Sequence, residues 1–237
     1  MRRDDVSFSR LFLALFALFI TCLLVSNIIA GKLIVVSGIV LPAAVILFPI
    51  TYLLGDVFTE VYGFRKTRIV IWSGFAANIL MAAFFLVAIA LPYPTFFKDQ
   101  AAYARVLGLT PRIVAASLVA YWAGEFANSI TLSALKRVTK GRWLWTRTIS
   151  STVVGQGLDT AIFISLAFAG SVPPGVLLRL MVAQYLFKIS YEIILTPLTY
   201  LAVRLIKRRE GIDTFDDGVS YNPFGRLFGR PFGKGGT

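Results

Sequence analysis

The sequence contains no histidine, a single cysteine (Cys22) and only 15% charged residues. Without histidine it lacks the side chain most often used as a general base. One cysteine excludes an intrachain disulfide and a Cys/His metal cluster. No long polar stretch is present from which a separate soluble domain could be built. Acidic residues are also scarce, 12 against 24 basic, for a net charge of +12. Taken alone, that balance suggests a nucleic-acid partner. The basic residues, however, sit in short clusters between apolar runs, the pattern of topology signals rather than of a basic groove, so no nucleic-acid partner is expected.

Apolar residues make up 57% of the chain, and the mean hydropathy is +0.75. Soluble domains have roughly 45–50% apolar and about 25% charged residues, so the solvent here is expected to be lipid. The N-terminus runs from Met-Arg-Arg into Leu11–Ala30. That run exceeds the roughly 7–15 apolar residues of a signal peptide and reads as a retained first helix.

The expected fold is all-α: a bundle of six transmembrane helices in a domain covering 1–209, followed by a Gly-rich cytoplasmic tail at 210–237 that is expected to be mostly disordered. The spans are about 11–30, 38–62, 68–91, 112–135, 148–170 and 176–206. Strong basic clusters alternate with weak ones. Arg2, Arg3 and Arg10, then Arg65, Lys66 and Arg68, then Lys136, Arg137, Lys140, Arg142 and Arg147, then the tail from Arg204 onward, mark one side. Excess Lys and Arg mark the cytoplasmic side, so both termini are expected there. In the external loop 92–111, Phe96, Phe97, Tyr103, Val106 and Leu107 suit either a short helix on the membrane surface or an ordinary capped loop. Prolines 42 and 49 are expected to interrupt the second span, and Pro197 the sixth.

Ionisable groups inside a membrane are costly and mark function by default. The spans contain Asp56, Glu60, Glu125, Asp159, Lys188 and Glu192. Counting from span centres places Glu125, Asp159, Lys188 and Glu192 at one level with Asn78. Asp56 falls roughly 9 Å toward the cytoplasm at 1.5 Å per residue, and Glu60 one turn beyond it. Asp56 and Glu60 share a helix face, as do Lys188 and Glu192, with Gln184 one turn earlier; Gln156 and Asp159 are three apart, and Tyr121, Glu125 and Asn128 form one stripe. Five carboxylates against one ammonium require proton uptake, a bound cation or hydration from a cavity. A shared, wet, ligand-sized hollow is therefore expected. The plainer alternative is that Lys188 neutralises Asp159 or Glu192 only to fix helix packing.

These residues also carry a family resemblance. FPITYLLGDVFTEVYG at 48–63 resembles the signature of the queuosine-precursor transporters, also described as the vitamin uptake transporter family. Ser26 and Asn27, IWSGF at 71–75 with Asn78, GQGLDT at 155–160, YLFK at 185–188, EGIDTFDDG at 210–218 and YNPF at 221–224 extend the resemblance over nearly the whole chain. It implies a bacterial inner-membrane carrier importing 7-cyano- or 7-aminomethyl-7-deazaguanine, with no cofactor and no metal. It also implies a bundle similar to the substrate-binding subunits of energy-coupling-factor transporters. Asn27, Asp56, Glu60, Asn78, Asp159 and Lys188 carry over by motif as pocket residues. Glu125, Gln156, Gln184 and Glu192 join the substrate-binding set by depth and face. Asp56 and Glu60 are assigned to a gate or to coupling.

The chemistry of a guanine edge is consistent with this. Its adjacent N1–H and NH₂ suit a carboxylate, Asp159 or Glu125. Its carbonyl suits Lys188, and its flat ring suits aromatic walls, for which Phe163, Tyr185 and Tyr191 are the candidates. A homodimer is compatible with so small a carrier, although no small-residue motif compels one.

Two other classes fit less well. An intramembrane aspartyl protease using Asp56 and Asp159 would need Gly where the chain has Leu53, and Gly157-Leu158 breaks the same motif before Asp159. A substrate-binding subunit of an energy-coupling-factor transporter would show an Ala-x-x-x-Ala docking pattern in the first helix, but Ala14 is followed four residues later by Leu18. Non-enzymatic transport by the chain alone is the expectation.

Overall fold

A computed structural model describes residues 8–29, 32–36, 39–108, 111–170 and 173–224. The elements in chain order are α1 (Arg10–Ile29), a hairpin of β1 (Leu33–Val36) and β2 (Ile39–Pro42), a 3-10 turn (Ala43–Ile46), and α2 (Phe48–Val57), which continues into a π turn (Phe58–Tyr62). Then come α3 (Phe64–Ala90), α4 (Gln100–Leu107), α5 (Pro111–Val138), α6 (Leu144–Phe168) and α7 (Pro174–Glu210). Expectations for Arg2, Arg3, Ala30, Gly38 and the tail beyond Phe224 lie outside the described residues.

Among the described residues, α1, α3, α6 and α7 are long and apolar enough to cross a membrane. α5 has the length, 28 residues, but Glu125, Asn128, Ser129, Thr131 and Ser133 make its centre polar. Outward-facing residues are apolar: Leu80, Phe84 and Ile194 are 60%, 64% and 73% exposed. Large apolar side chains exposed in such number are stable only against lipid or another apolar surface. α7, at 37 residues, is about 55 Å long at 1.5 Å per residue, well beyond the roughly 30 Å of hydrocarbon.

The second expected span is not a helix from 38 to 62. Its first part is an antiparallel strand pairing Val35 with Val40 and Val36 with Ile39. Hydropathy alone does not separate an apolar strand from an apolar helix, and the β-branched residues here favour the strand. Pro42 closes β2, and Pro49 lies in the first turn of α2, where a missing N–H leaves no bond unmade. The two prolines therefore bound elements instead of interrupting one, whereas Pro197 does lie inside α7. Of the two alternatives for the segment after α3, the short helix is the one present, as α4, and Phe96 and Val106 are exposed.

The aromatic residues of α1 and the π turn interlock at one end of the bundle. Phe12 meets Phe58 at 5.2 Å and Tyr62 at 5.0 Å, both edge-on. Residues 211–224 pack against this same end and are not disordered there. The Asp216 carboxylate accepts the Phe64 backbone N–H at 2.9 and 3.0 Å and a bond from Ser133, so it caps the start of α3. Gly63, at φ 82°, makes room for this cap: a Cβ there would lie 2.8 Å from both Asp216 and Thr214. Arg68 donates to the Asn222 carbonyl at 3.0 Å and Trp72 to the Pro223 carbonyl at 2.9 Å, while Phe224 stands over the rings of Trp72 and Trp122. A Gly-rich composition suggests disorder because it offers little apolar surface. In this segment the aspartates and backbone carbonyls fill unmet hydrogen bonds at helix ends instead.

Candidate functional site

Lipid gives helices no hydrophobic reason to associate with one another, so small residues and polar contacts set their spacing. α5 and α6 cross at Gly124 and Gly155. A Cβ on Gly124 would lie 2.7 Å from the Asp159 Cβ, and one on Gly155 would lie 2.7 Å from the Asn128 Cβ. This backbone contact at mid-helix places Glu125 and Asn128 beside Gln156 and Asp159. From α2, Gly55 also faces this crossing, since a Cβ there would lie 3.4 Å from a Glu125 carboxylate oxygen.

The charged residues of four helices converge at this crossing. Lys188 of α7 forms an ion pair with Asp159 of α6 and reaches the hydroxyl of Tyr52 on α2. Glu125 feels the charges of Asp159, Lys188 and Glu192. Asp56 is buried, accepts a bond from the Asn128 amide at 3.1 Å, and feels Glu192 more strongly than Glu125 or Glu60. Glu192 is buried as well. Asp56 Oδ2, Glu192 Oε1, Gln156 Oε1 and Asn128 Oδ1 are buried with no protein partner. Each such atom costs free energy until a donor reaches it. The site is thus rich in acceptors, and its one ammonium is already held by Asp159.

Glu60, expected one turn beyond Asp56 and grouped with it as a gate or coupling residue, belongs to a different cluster. It is fully buried, and its Oε1 meets Arg147 at 2.7 Å, Lys207 at 2.8 Å and Lys136 at 3.7 Å. Asp213 of the tail joins the same cations, at 2.6 Å from Lys136 and 2.9 Å from Lys207. Burial pushes the Asp213 carboxyl up, but the hydrogen bonds from Lys136 and Lys207 outweigh that and hold it below the ordinary value of 3.8. Glu60 therefore does not add to the surplus of negative charge, which rests on Asp56, Glu125, Asp159 and Glu192 against Lys188.

The remaining residues singled out by sequence lie around this cluster or beyond it. The amides of Asn27 and Asn78 bond to each other, linking α1 to α3, and Asn78 also donates to the Gly74 carbonyl at 2.9 Å. Tyr121 closes over Gly74, where a Cβ would meet its hydroxyl at 2.5 Å. Gln184 is partly buried one turn before Lys188. The three aromatic wall candidates contact neighbours on α6 and α7. Tyr185 donates to the Val153 carbonyl at 3.1 Å and packs on Gly157; Phe163 meets Phe168 at 6.1 Å, and Tyr191 meets Phe187 at 6.3 Å. Sequence reasoning missed Tyr52, although its spacing four residues before Asp56 puts it on that carboxylate's face. It also treated Lys136, Arg147 and Lys207 as topology signals only. Their burial follows from the need of Glu60 for counter-charge. The best-formed surface depressions, of about 410 and 390 Å³, run along α4. The ligand-sized hollow expected at the carboxylates is not one of them.

The family profile described as "Putative vitamin uptake transporter" matches residues 42–202, which include every charged residue of the convergent cluster. Among curated proteins, the "Probable queuosine precursor transporter" of Bacillus subtilis (strain 168) is 29% identical over 187 residues, 78% of this chain and 81% of that protein. No solved structure matches.

Proposed function

The chain belongs to the vitamin uptake transporter family, and from that premise we propose that it imports a 7-deazaguanine precursor of queuosine across a bacterial plasma membrane. The observation that carries this reading is the set of buried acceptor oxygens without partners on α2, α5, α6 and α7. A guanine-like ring presents N1–H and NH₂ donors side by side, and a carboxylate accepts both. An aminomethyl substituent adds a cation, which the surplus carboxylates suit. The name of the Bacillus subtilis relative supports the same substrate class. Glu125 and Asp159 are the residues assigned to the guanine edge, and Lys188 orients Asp159 and offers a donor to the ring carbonyl. The amides of Asn27, Asn78 and Gln156 and the rings of Phe163, Tyr185 and Tyr191 complete the assigned site.

In this reading the chain crosses the membrane six times, with α2, the π turn and the preceding hairpin together making the second crossing. Both ends of the chain face the cytoplasm, because the basic residues of the Glu60 cluster all lie at one end of the bundle. It works as a carrier by itself. The test is uptake of labelled 7-cyano- and 7-aminomethyl-7-deazaguanine by cells lacking other importers. Asp56→Asn, Asp159→Asn and Lys188→Ala variants that still insert are expected to lose uptake at least tenfold, equivalent to about 1.4 kcal/mol or more. Unchanged uptake in all three would overturn the assignment.

A further inference from the structure

Three stretches of helix carry polar side chains at helical spacing from the α5–α6 crossing to the Glu60 end of the bundle. From Glu125, α5 continues with Ser129, Ser133 and Lys136. From Asp159, α6 leads back through Gln156, Thr152 and Thr148. From Asp56, the π turn adds Thr59 and Glu60. Every side chain added in this way is buried. The stripes meet: the Thr59 and Ser129 hydroxyls lie 3.2 Å apart, and Arg147, next to Thr148, reaches Glu60 at 2.7 Å. The Thr148 hydroxyl is buried without a partner. Polar stripes on helices in lipid must face protein or a water-filled cavity. Small hydroxyls that bond back to their own helix, as Thr59 does to the Gly55 carbonyl at 3.1 Å, turn to another partner at little cost.

This seam ends at the Glu60 cluster, and residues 213–224 lie across its end. Lys136 donates to the Thr214 carbonyl at 2.7 Å as well as to Asp213, and its ammonium stands 4.6 Å from the centre of the Phe215 ring. Ser133 bonds to Asp216 and lies 3.0 Å from the Tyr221 hydroxyl. The last two polar residues of the α5 stripe are thus both occupied by the tail. The tail itself is held shallowly, since Asp216 is the one buried residue among 211–224. A segment with so little buried apolar surface belongs to the parts of a fold that open locally at low cost. It leaves α7 at Gly211, which ends the helix in the left-handed conformation at φ 65°.

We propose that the seam is the route by which substrate leaves for the cytoplasm, and that residues 213–224 are its latch, closed in this structure and released in each cycle. The donors of the substrate pass from the carboxylates to the hydroxyls of Ser129, Thr152 and Thr148. Release of Asp213 and Asp216 then frees Lys136 and Ser133 at the mouth. The identity of what passes rests on the transport reading above; the opening of the latch does not.

The test ties the tail down at a point outside the seam. Arg137 of α5 and Asp217 of the tail form an exposed ion pair at 3.3 Å, and exposed pairs contribute little to stability. The full chain carrying Arg137→Cys and Asp217→Cys is bridged with a short bifunctional thiosulfonate and then reconstituted in liposomes. Bridging is expected to cut uptake of labelled 7-cyano-7-deazaguanine by roughly tenfold or more, because only the released state lets substrate out, and a reductant should restore it. Either single-cysteine variant treated alike should keep wild-type uptake. Uptake indifferent to the bridge overturns the latch, as does failure of the two cysteines to bridge. A second readout needs no substrate. Ser129→Cys, or Thr148→Cys if that protein is unstable, is added to the pair as a reporter inside the seam. A water-soluble maleimide should label it in the purified protein when the tail is free, and roughly tenfold more slowly when the tail is bridged, as read by peptide mass. Equal labelling in both forms, or none in either, overturns the proposal. If no deazaguanine enters with the tail free, the substrate reading fails while this labelling still decides the latch.

Discussion

Glu60 ties the π turn to α5, α6 and α7 at one end of the bundle through a single carboxylate. Arg147 is 1% exposed and has Glu60 as its ionic partner, with further bonds to Thr139 and the Arg142 carbonyl. Removing one member of a buried ion pair leaves the other charge stranded, at a cost of about 3–5 kcal/mol. Glu60→Gln is therefore expected to lower the Tm of the purified protein in detergent markedly, whatever its effect on transport. An unchanged Tm would mean that the cluster is solvated in solution. The same reasoning applied to Lys188 and Asp159 predicts that the double neutral variant Lys188→Ala with Asp159→Asn inserts better than Lys188→Ala alone, as read by membrane yield. In the single variant a carboxylate remains without its cation.

Among the elements, the pairing of α5 with α6 has the least tolerance. Gly124 and Gly155 allow backbone contact, and a single added carbon at either position collides with Asp159 or Asn128. Gly155→Leu is expected to push the helices apart, separate Asn128 from Asp56, and abolish substrate binding by the inserted protein, which equilibrium binding of labelled deazaguanine measures. The tail is a second element whose state is open to test. Asp213 has its carboxyl held below 3.8 by Lys136 and Lys207 when the tail is docked. A group whose folded pKa is depressed contributes stability above the unfolded pKa and loses it as pH falls through the folded one. Protease cleavage within 211–224 is therefore expected to be flat from neutral pH down to about 4 and to rise below that. Asp213→Asn should cleave faster at neutral pH and lose that rise.

For the whole molecule, the proposed topology makes a simple prediction. A fluorescent protein fused after Thr237 should fluoresce, and an alkaline phosphatase fused there should be inactive, with the reverse at a fusion in the loop after Ala90. The opposite result would invert the membrane orientation.

The sequence by itself determined that the chain lives in lipid, where its long helices lie, and which ionisable residues needed an explanation. All of these follow from local quantities: hydropathy over about 20 residues, charge between segments, and spacing of three or four along a helix. It also carried the family resemblance in 48–63 and in the tail. Only the tertiary structure decided which charges compensate which. Glu60 and Asp56 lie one helical turn apart, yet one meets three cations and the other the Asn128 amide, because Arg147, Lys207 and Lys136 reach one end of the bundle and Asn128 faces the α5–α6 crossing. The same holds for the apolar stretch at 33–42, which pairs as strands, and for the Gly-rich tail, which finds unfilled helix-end donors and buried cations to bind. Partners distant in sequence set these outcomes. Burial in a low-dielectric interior makes the identity of the partner, rather than of the residue, the dominant energy.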